Sequence, residues 1–494
     1  MAAVLGLWLA LNLATLERSP TVWCDEVMFA EPAVRCLAGQ GFTATSWPAP
    51  AGTPALLNGP LYSLLLVPWL WLWGVGPVAA RSLGLLLAGL SAVLLWRLAR
   101  VTGAVRSARW RLVGVGVLLC GFGVTWGYRS GRYDPLGLLL LVVLAGTLVR
   151  LPHAAPPSRL RQCDAGSLGL AALLPFAGLH LLPYAGLLGL AAVATCGKTA
   201  WRRLAVPAIG LALGLGLLAV LHRSAGTWTL ATAFVAAERG LGLTPRLAQI
   251  PRALCADPSL LPLVAFLLGG ALVRGAAGAD ARAADSAPAT VRAGRSWTAD
   301  PVLVVTLTAL LVPAWMVAAG KYTPYYGWMA FVPALGGVLH VLDRAAGPAA
   351  IRAGRRGLRT GIGVLALGAA AAIGLPLRLA LCTLEWRQRD YAPVVRFVES
   401  HLRADEAVLT SSETYYAVAR HCHETVLPAA LGFCHAGIPA HVSALVGGDE
   451  LAETFGPLGQ LGWVPVASCE PPAYSLPVRL GYARWYAVTV WRRR

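Results

Sequence analysis

Two acidic residues, Asp25 and Glu26, follow directly on Trp23 and Cys24 in the stretch VWCDEVMFAEPAVRCLAGQG, whose apolar positions suit an amphipathic helix lying on a bilayer. A carboxylate pair at a membrane surface is costly to desolvate, so it is either a solvated charge face, the commoner case, or a pair kept for proton transfer. The segment YRSGRYD (128–134) carries Arg129, Arg132 and Asp134. Asp134-Pro135 reads as a helix cap with proline at the first helical position, and the same acid lies next to two cations. Arg81 opens an apolar run and Lys321 opens the turn KYTPYYG. Such cations either snorkel to lipid headgroups or hold a phosphate, because a bound dianion needs positive charge fixed in place. His180 stands between two apolar runs, where a hydrogen-bonded core histidine is the plain account. In the tail, His421, Cys422, His423, Cys434, His435 and His441 fit no standard zinc spacing. A Cys422–Cys434 disulfide is the better expectation there, with Cys24 and Cys36 as a second pair, if these segments face an oxidising compartment.

The elements that must hold these residues are membrane helices. The chain is 57% hydrophobic and 13% charged over 494 residues, with mean hydropathy +0.63. A soluble protein carries about 25% charged residues, so a water-soluble globule, a disordered chain and a disulfide-knit secreted domain are all excluded. The net charge of +18 does not point to nucleic acid, because the basic residues sit in short clusters between apolar runs. Ten cysteines without a C-x-x-C pair exclude a zinc ribbon or redox motif.

Eleven apolar runs are read as spans: 1–16, 82–96, 112–128, 135–149, 167–180, 181–196, 207–222, 258–273, 300–319, 327–342 and 360–380. Positive charge collects in 97–111, 150–166, 197–206, 274–298 and 343–359, which are expected to be cytoplasmic. That alternation holds only if 61–76 (LYSLLLVPWLWLWGVG) does not cross. Its prolines, its tryptophans and Tyr62 suit an interfacial or re-entrant helix on the outer side. The runs 167–180 and 181–196, hinged at His180 and Pro183, read as a hairpin reaching a cavity. The first run has no basic flank and no A-x-A site, so it reads as a short span rather than a signal peptide.

After residue 380 the composition shifts. YAPVVRFVESHL (391–402) has helical spacing, 406–411 reads as a strand, 413–422 as a helix and 483–494 as strand-like. The division is therefore a helical membrane domain, 1–380, and a small extracytoplasmic α/β domain, 381–494.

The order of motifs is specific: a short first span; W-x-D-E in a long outer loop; GQGFT (39–43); NGPLY (58–62); Arg81 at the start of the next span; a basic loop; the R-x-D turn of Arg132 and Asp134; a short hairpin with His180; and a Tyr-Tyr turn before a late span. It resembles the polytopic glycosyltransferases of GT-C fold, and within them the family 39 group of protein O-mannosyltransferases and the lipid A aminoarabinose transferase. The likeness covers residues 1–200 well and 300–340 loosely. It implies an all-α polytopic GT-C membrane domain and gives Asp25 the role of essential acid, with Glu26 beside it and Asp134 as the second-loop acid. Arg81, Arg132, Lys321, Tyr325 and Tyr326 would hold the donor phosphate, and His180, Asn58 and Tyr62 would line the substrate cavity. Where members carry a carboxylate or histidine before the re-entrant helix, this chain has Asn58-Gly59-Pro60; no metal ligand is assigned, and a divalent ion stays an option.

The function this implies is an inverting transfer of a sugar from a polyprenyl-phosphate donor to a hydroxyl of a glycan, lipid or protein acceptor. It would take place on the outer face of a bacterial inner membrane, with membrane lipids as the other partner. The rival classes are a lipid-linked-sugar flippase and a non-catalytic member of the same fold. A transporter places ionisable residues near the bilayer midplane, often in repeated halves; here the acids cluster in outward loops and no internal repeat is found.

Overall fold

The computed structural model of the chain describes residues 1–47, 52–57, 59–149, 157–196, 198–237, 257–270, 300–318, 324–345, 356–428, 437–470 and 486–494. The first part is helical throughout: α1 (Ala2–Thr15), α2 (Cys24–Leu37), α3 (Pro60–Trp73), α4 (Pro77–Val101), α5 (Ala108–Cys120), α6 (Phe122–Arg129), α7 (Asp134–Val149), α8 (Pro157–Ala177), α9 (Leu181–Cys196), α10 (Lys198–Ser224) and α11 (Trp228–Ala237). It continues with α12 (Leu260–Gly270), then α13 (Pro301–Ala309), α14 (Val312–Ala318), α15 (Trp328–Ala345), α16 (Arg356–Ile373) and α17 (Leu375–Leu384).

Each apolar run read from the sequence is largely helical over its described residues, with breaks at Gly121 in 112–128, at 310–311 in 300–319 and at Gly374 in 360–380. Among those residues, three helices are long and apolar enough to cross a membrane: Pro77–Val101, Leu204–Ser224 and Gly357–Leu384. The pair α5 and α6, bent by 59° at Gly121, makes a fourth if counted as one span. Length and composition alone thus support fewer crossings than the eleven runs. The run 61–76 is the fourteen-residue helix α3, with Pro60 at its start and Pro68 inside it.

Helix α2 is amphipathic, and the buried side of its first turns, with Glu26, Val27, Phe29 and Ala30, packs against α3 and α4. The expected Cys24–Cys36 pair is corrected here: both thiols are free, at opposite ends of this one helix. Twelve residues at about 1.5 Å rise put them far beyond disulfide reach. Cys422 is also free among the described residues, and Cys434 lies outside them.

The C-terminal part contains α18 (Ala392–His401), β1 (Ala407–Thr410), α19 (Tyr415–His421), β2 (Glu424–Val426), β3 (Ala444–Gly447), α20 (Asp449–Phe455), β4 (Trp463–Cys469) and β5 (Val488–Arg493). The five strands form one mixed sheet in the order β2-β1-β3-β5-β4. Strand β1 pairs in parallel with β2 and β3, while β5 runs antiparallel to β3 and β4. Alternation decides its two faces. Leu409 and Leu445 pack with Leu451, Leu458 and Trp463 on one side. Val408, Ala444, Val446 and Val490 face the cluster that includes Tyr391, Tyr415 and Tyr416 on the other.

At one end of this sheet, Glu450 accepts from the Ser412 N–H (2.9 Å) and hydroxyl (3.1 Å). Burial first, and then the nearby Glu450, pushes Glu413 up to about 7 from its ordinary 4.5. A carboxyl with a raised folded pKa contributes stability that is full below its unfolded pKa and is lost as pH rises through the folded one. Melting temperature should therefore fall between about pH 5 and about pH 8. Glu413→Gln should flatten that fall in thermal scans; an unaltered slope would remove Glu413 as its source.

Candidate active site

Trp23 is extended, and α2 begins immediately after it, so Asp25 and Glu26 occupy the first helical turn. Negative charge there complements the partial positive charge of the helix start. The two side chains point to different surroundings. Glu26 is fully buried and receives both arms of Arg81: Nε donates to Oε1 (2.9 Å) and Nη2 to Oε2 (2.7 Å). The Tyr416 hydroxyl, from α19, donates to the same Oε1 (3.3 Å). Burial pushes the Glu26 carboxyl up, against the opposing pull of Arg81. Arg81 completes its coordination through Nη1, which donates to the carbonyls of Leu16 (2.6 Å), Glu17 (3.3 Å) and Pro20 (2.8 Å).

Asp25 is 23% exposed at its side chain and is ion-paired with Arg132. Arg132 is buried and its Nε also donates to Asp134 Oδ2 (2.8 Å). The other oxygen of Asp134 accepts from the Trp328 indole N–H (3.1 Å) at the start of α15. The Tyr325 ring lies flat against this arrangement, its centroid 3.4 Å from the Arg132 guanidinium carbon, where a planar cation is attracted by the ring face. The sequence places Gly131 one residue before Arg132 for a steric reason. Its φ is +62°, and a Cβ there would stand 2.9 Å from Glu26 Cγ. Only glycine lets the turn carry Arg132 past one carboxylate to reach the other.

A second ring of contacts lies beside Arg132. The Tyr133 and Tyr326 hydroxyls share a hydrogen bond of 2.8 Å, and the His180 ring sits 5.0 Å from Tyr133 and 4.6 Å from Tyr326. Burial pushes both phenols up, so they act as neutral hydrogen-bonding groups. Tyr62 is buried against Phe29 with its hydroxyl directed at the Ala80 carbonyl (3.4 Å), part of the wall and not of an open surface.

The structure thus gathers Asp25, Glu26, Arg81, Arg132, Asp134, His180, Tyr325 and Tyr326 in one place, with Tyr62 behind them. Asn58 and Lys321 lie outside the described residues. Arg81 is not placed as a phosphate ligand would be: it is fully buried and spent on Glu26 and three carbonyls. Among the described residues no group of three or more His, Cys, Asp or Glu side chains converges as metal ligands would.

Three participants escaped the sequence reading. Trp328 was detectable in principle, as an indole two residues after the Tyr-Tyr turn. Tyr416 had no signal, being 390 residues from its partner. Glu31 resembles its acidic neighbours in sequence, yet its carboxylate is bound by the N–H groups of Thr45 (2.6 Å) and Ser46 (3.1 Å) and by their hydroxyls, which makes it a loop anchor.

No protein-family model and no curated relative matches the chain. Solved structures do. ArnT from Cupriavidus metallidurans, bound to undecaprenyl phosphate, is 16% identical with TM-score 0.55, over 99% of this chain and 97% of that one. Its apo state is 15% identical with TM-score 0.53, over the same shares. The archaeal oligosaccharyltransferase of Archaeoglobus fulgidus, tethered with an acceptor peptide, is 12% identical with TM-score 0.46, over 97% of this chain and 74% of that one, too distant to argue from. A likeness of full length on both sides, with a helical part and a small C-terminal sheet, makes this chain a protein of the GT-C fold, the fold of integral-membrane glycosyltransferases.

Proposed function

We propose that the protein is an inverting glycosyltransferase that moves a sugar from a polyprenyl-phosphate donor to an acceptor hydroxyl on the outer face of a bacterial inner membrane. The observation that carries this reading is the partial exposure of Asp25 beside two fully engaged carboxylates, on the fold of a protein solved with undecaprenyl phosphate. The lipid phosphate is already a good leaving group and needs no acid. The acceptor oxygen bonds to the anomeric carbon, the bond from that carbon to the phosphate oxygen breaks, and its electron pair leaves with the phosphate. The acceptor proton passes to Asp25, the general base. Arg132 fixes the Asp25 carboxylate, and Asp134 and Trp328 fix Arg132 in turn. Arg81 is assigned to holding Glu26 in place. Lys321, with Tyr325 and Tyr326 of the same turn, is retained as a ligand of the donor phosphate, and His180 and Asn58 as part of the cavity wall.

A single base with no covalent carboxylate gives inversion at the anomeric carbon. Purified protein supplied with a β-linked polyprenyl-phosphate sugar should therefore yield an α-linked product, read by NMR of the new linkage. A β-linked product would require a second displacement and would end the single-base reading.

A further inference from the structure

Both site arginines so far described are already neutralised, Arg81 by Glu26 and Arg132 by Asp25 and Asp134. A lipid phosphate therefore has to find countercharge on other groups, Lys321 of the donor site proposed above and further cations beside it. Beside the site stands a half-buried cation with no carboxylate and no hydrogen-bond acceptor among the described residues: Arg378 of α17, held against aromatic faces. Its guanidinium carbon is 4.7 Å from the Trp126 ring centroid and 5.9 Å from that of Phe122.

Its position follows from two helix breaks that meet. The break at Gly374, between α16 and α17, packs against the break at Gly121, between α5 and α6; a Cβ on Gly374 would stand 1.8 Å from the Cys120 carbonyl oxygen. One turn further along α17, the side chain of Arg378 then reaches the aromatic side of α6. Trp126 makes an edge contact with Trp23 (5.8 Å between centroids), and Trp23 in turn lies 5.9 Å from Arg132. The indole N–H groups of both Trp23 and Trp126 are buried with no acceptor among the described residues. Such unmatched buried donors are uncommon in native proteins. Nearby Arg129 repels Arg378 and has only neutral partners, Asn12, Thr15 and the Ser19 carbonyl. This part of the fold therefore carries two unmatched indole donors and two cations that no carboxylate neutralises, set among aromatic rings that suit an isoprenoid chain.

We propose that Arg378, with the indole N–H groups of Trp23 and Trp126, forms a docking site for the phosphate of the lipid-linked donor in addition to the Lys321 turn, two aromatic rings away from Arg132. This rests on the donor class proposed above. The ligand chemistry is a phosphate ester oxyanion on a lipid, and the polyprenyl phosphate rather than a bulk phospholipid is the occupant. The aromatic walls select the chain and the cation selects the head.

The test is binding of fluorescent polyprenyl phosphate to the full-length protein in nanodiscs of phosphatidylcholine, with parallel samples containing phosphatidylglycerol or millimolar inorganic phosphate. Arg378→Gln should weaken binding about ten-fold or more, the usual loss for a charge-assisted hydrogen bond. Arg378→Lys should recover part of it, and Trp126→Phe, which keeps a ring and removes the N–H, should weaken binding by a few-fold. Asp25→Asn should leave binding within two-fold of the parent. Phosphatidylglycerol should compete poorly; strong competition by it would replace the donor with bulk lipid and overturn the assignment. Parent-like binding by both Arg378→Gln and Trp126→Phe would overturn the site while leaving the donor class intact. A parent protein that binds no polyprenyl phosphate would remove the donor class and this site together.

Discussion

Asp25→Asn should lower sugar transfer about 10²–10⁴-fold, the contribution of a positioned general base. The substitution is close to isosteric, and Asp25 is the most exposed of the three site carboxylates, so the fold has little reason to respond. Arg132 keeps Asp134 as its counterion and is not left as a bare buried charge. The loss should fall on kcat with the KM for donor nearly unchanged, the signature of an interaction made in the transition state alone. Initial rates with a radiolabelled polyprenyl-phosphate sugar, on protein of unaltered melting temperature, check this. A rate within three-fold of the parent would sink the assignment of Asp25.

The second large effect is on stability. Arg81→Met strands the Glu26 carboxylate in a fully buried place with only the Tyr416 hydroxyl as partner, and removes the donor from three loop carbonyls. Breaking one side of a buried pair costs about 3–5 kcal/mol, whereas replacing both sides by neutral groups is often near neutral. Arg81→Met should therefore melt many degrees below the parent, and Glu26→Gln combined with Arg81→Met should recover much of the difference. Scanning fluorimetry of the parent, Arg81→Met, Glu26→Gln and the double variant in one detergent gives the cycle. A double variant no more stable than Arg81→Met would move the cause from the ion pair to the lost loop contacts.

The helices and two of the five strands were legible because each shows in the local residue pattern, whereas β2, β3, β4 and the mixed order of the sheet were not. The runs at 82–96 and 207–222 are almost wholly apolar, and 406–411 is a short apolar run flanked by polar residues, as a buried strand is. Asp25, Glu26, Arg132 and Asp134 were legible as well, through residue type beside turn signals. What those groups do to one another was not. The sequence shows Arg81 and Arg132 as equivalent outward cations; their different partners are set by packing between α2, α4 and the turn after α6. Arg378 looks like a polar interruption in the run 360–380, and its stacking on Trp126 depends on two helix breaks meeting in space. The Cys24–Cys36 pairing failed for a related reason: spacing that suits a loop disulfide is excluded once the intervening residues form a helix.

The Tyr416 hydroxyl reaches Glu26, and the Tyr486 hydroxyl accepts from the Val22 N–H (3.1 Å), just ahead of the acidic pair. Two phenols from the tail are thus built into the support of the acids, and the tail is no detachable accessory. A chimera carrying the tail of another transferase would lose these braces unless both tyrosines travelled with the graft. Replacement of the tail is therefore limited to tails that present both hydroxyls at these places, whatever else in them varies.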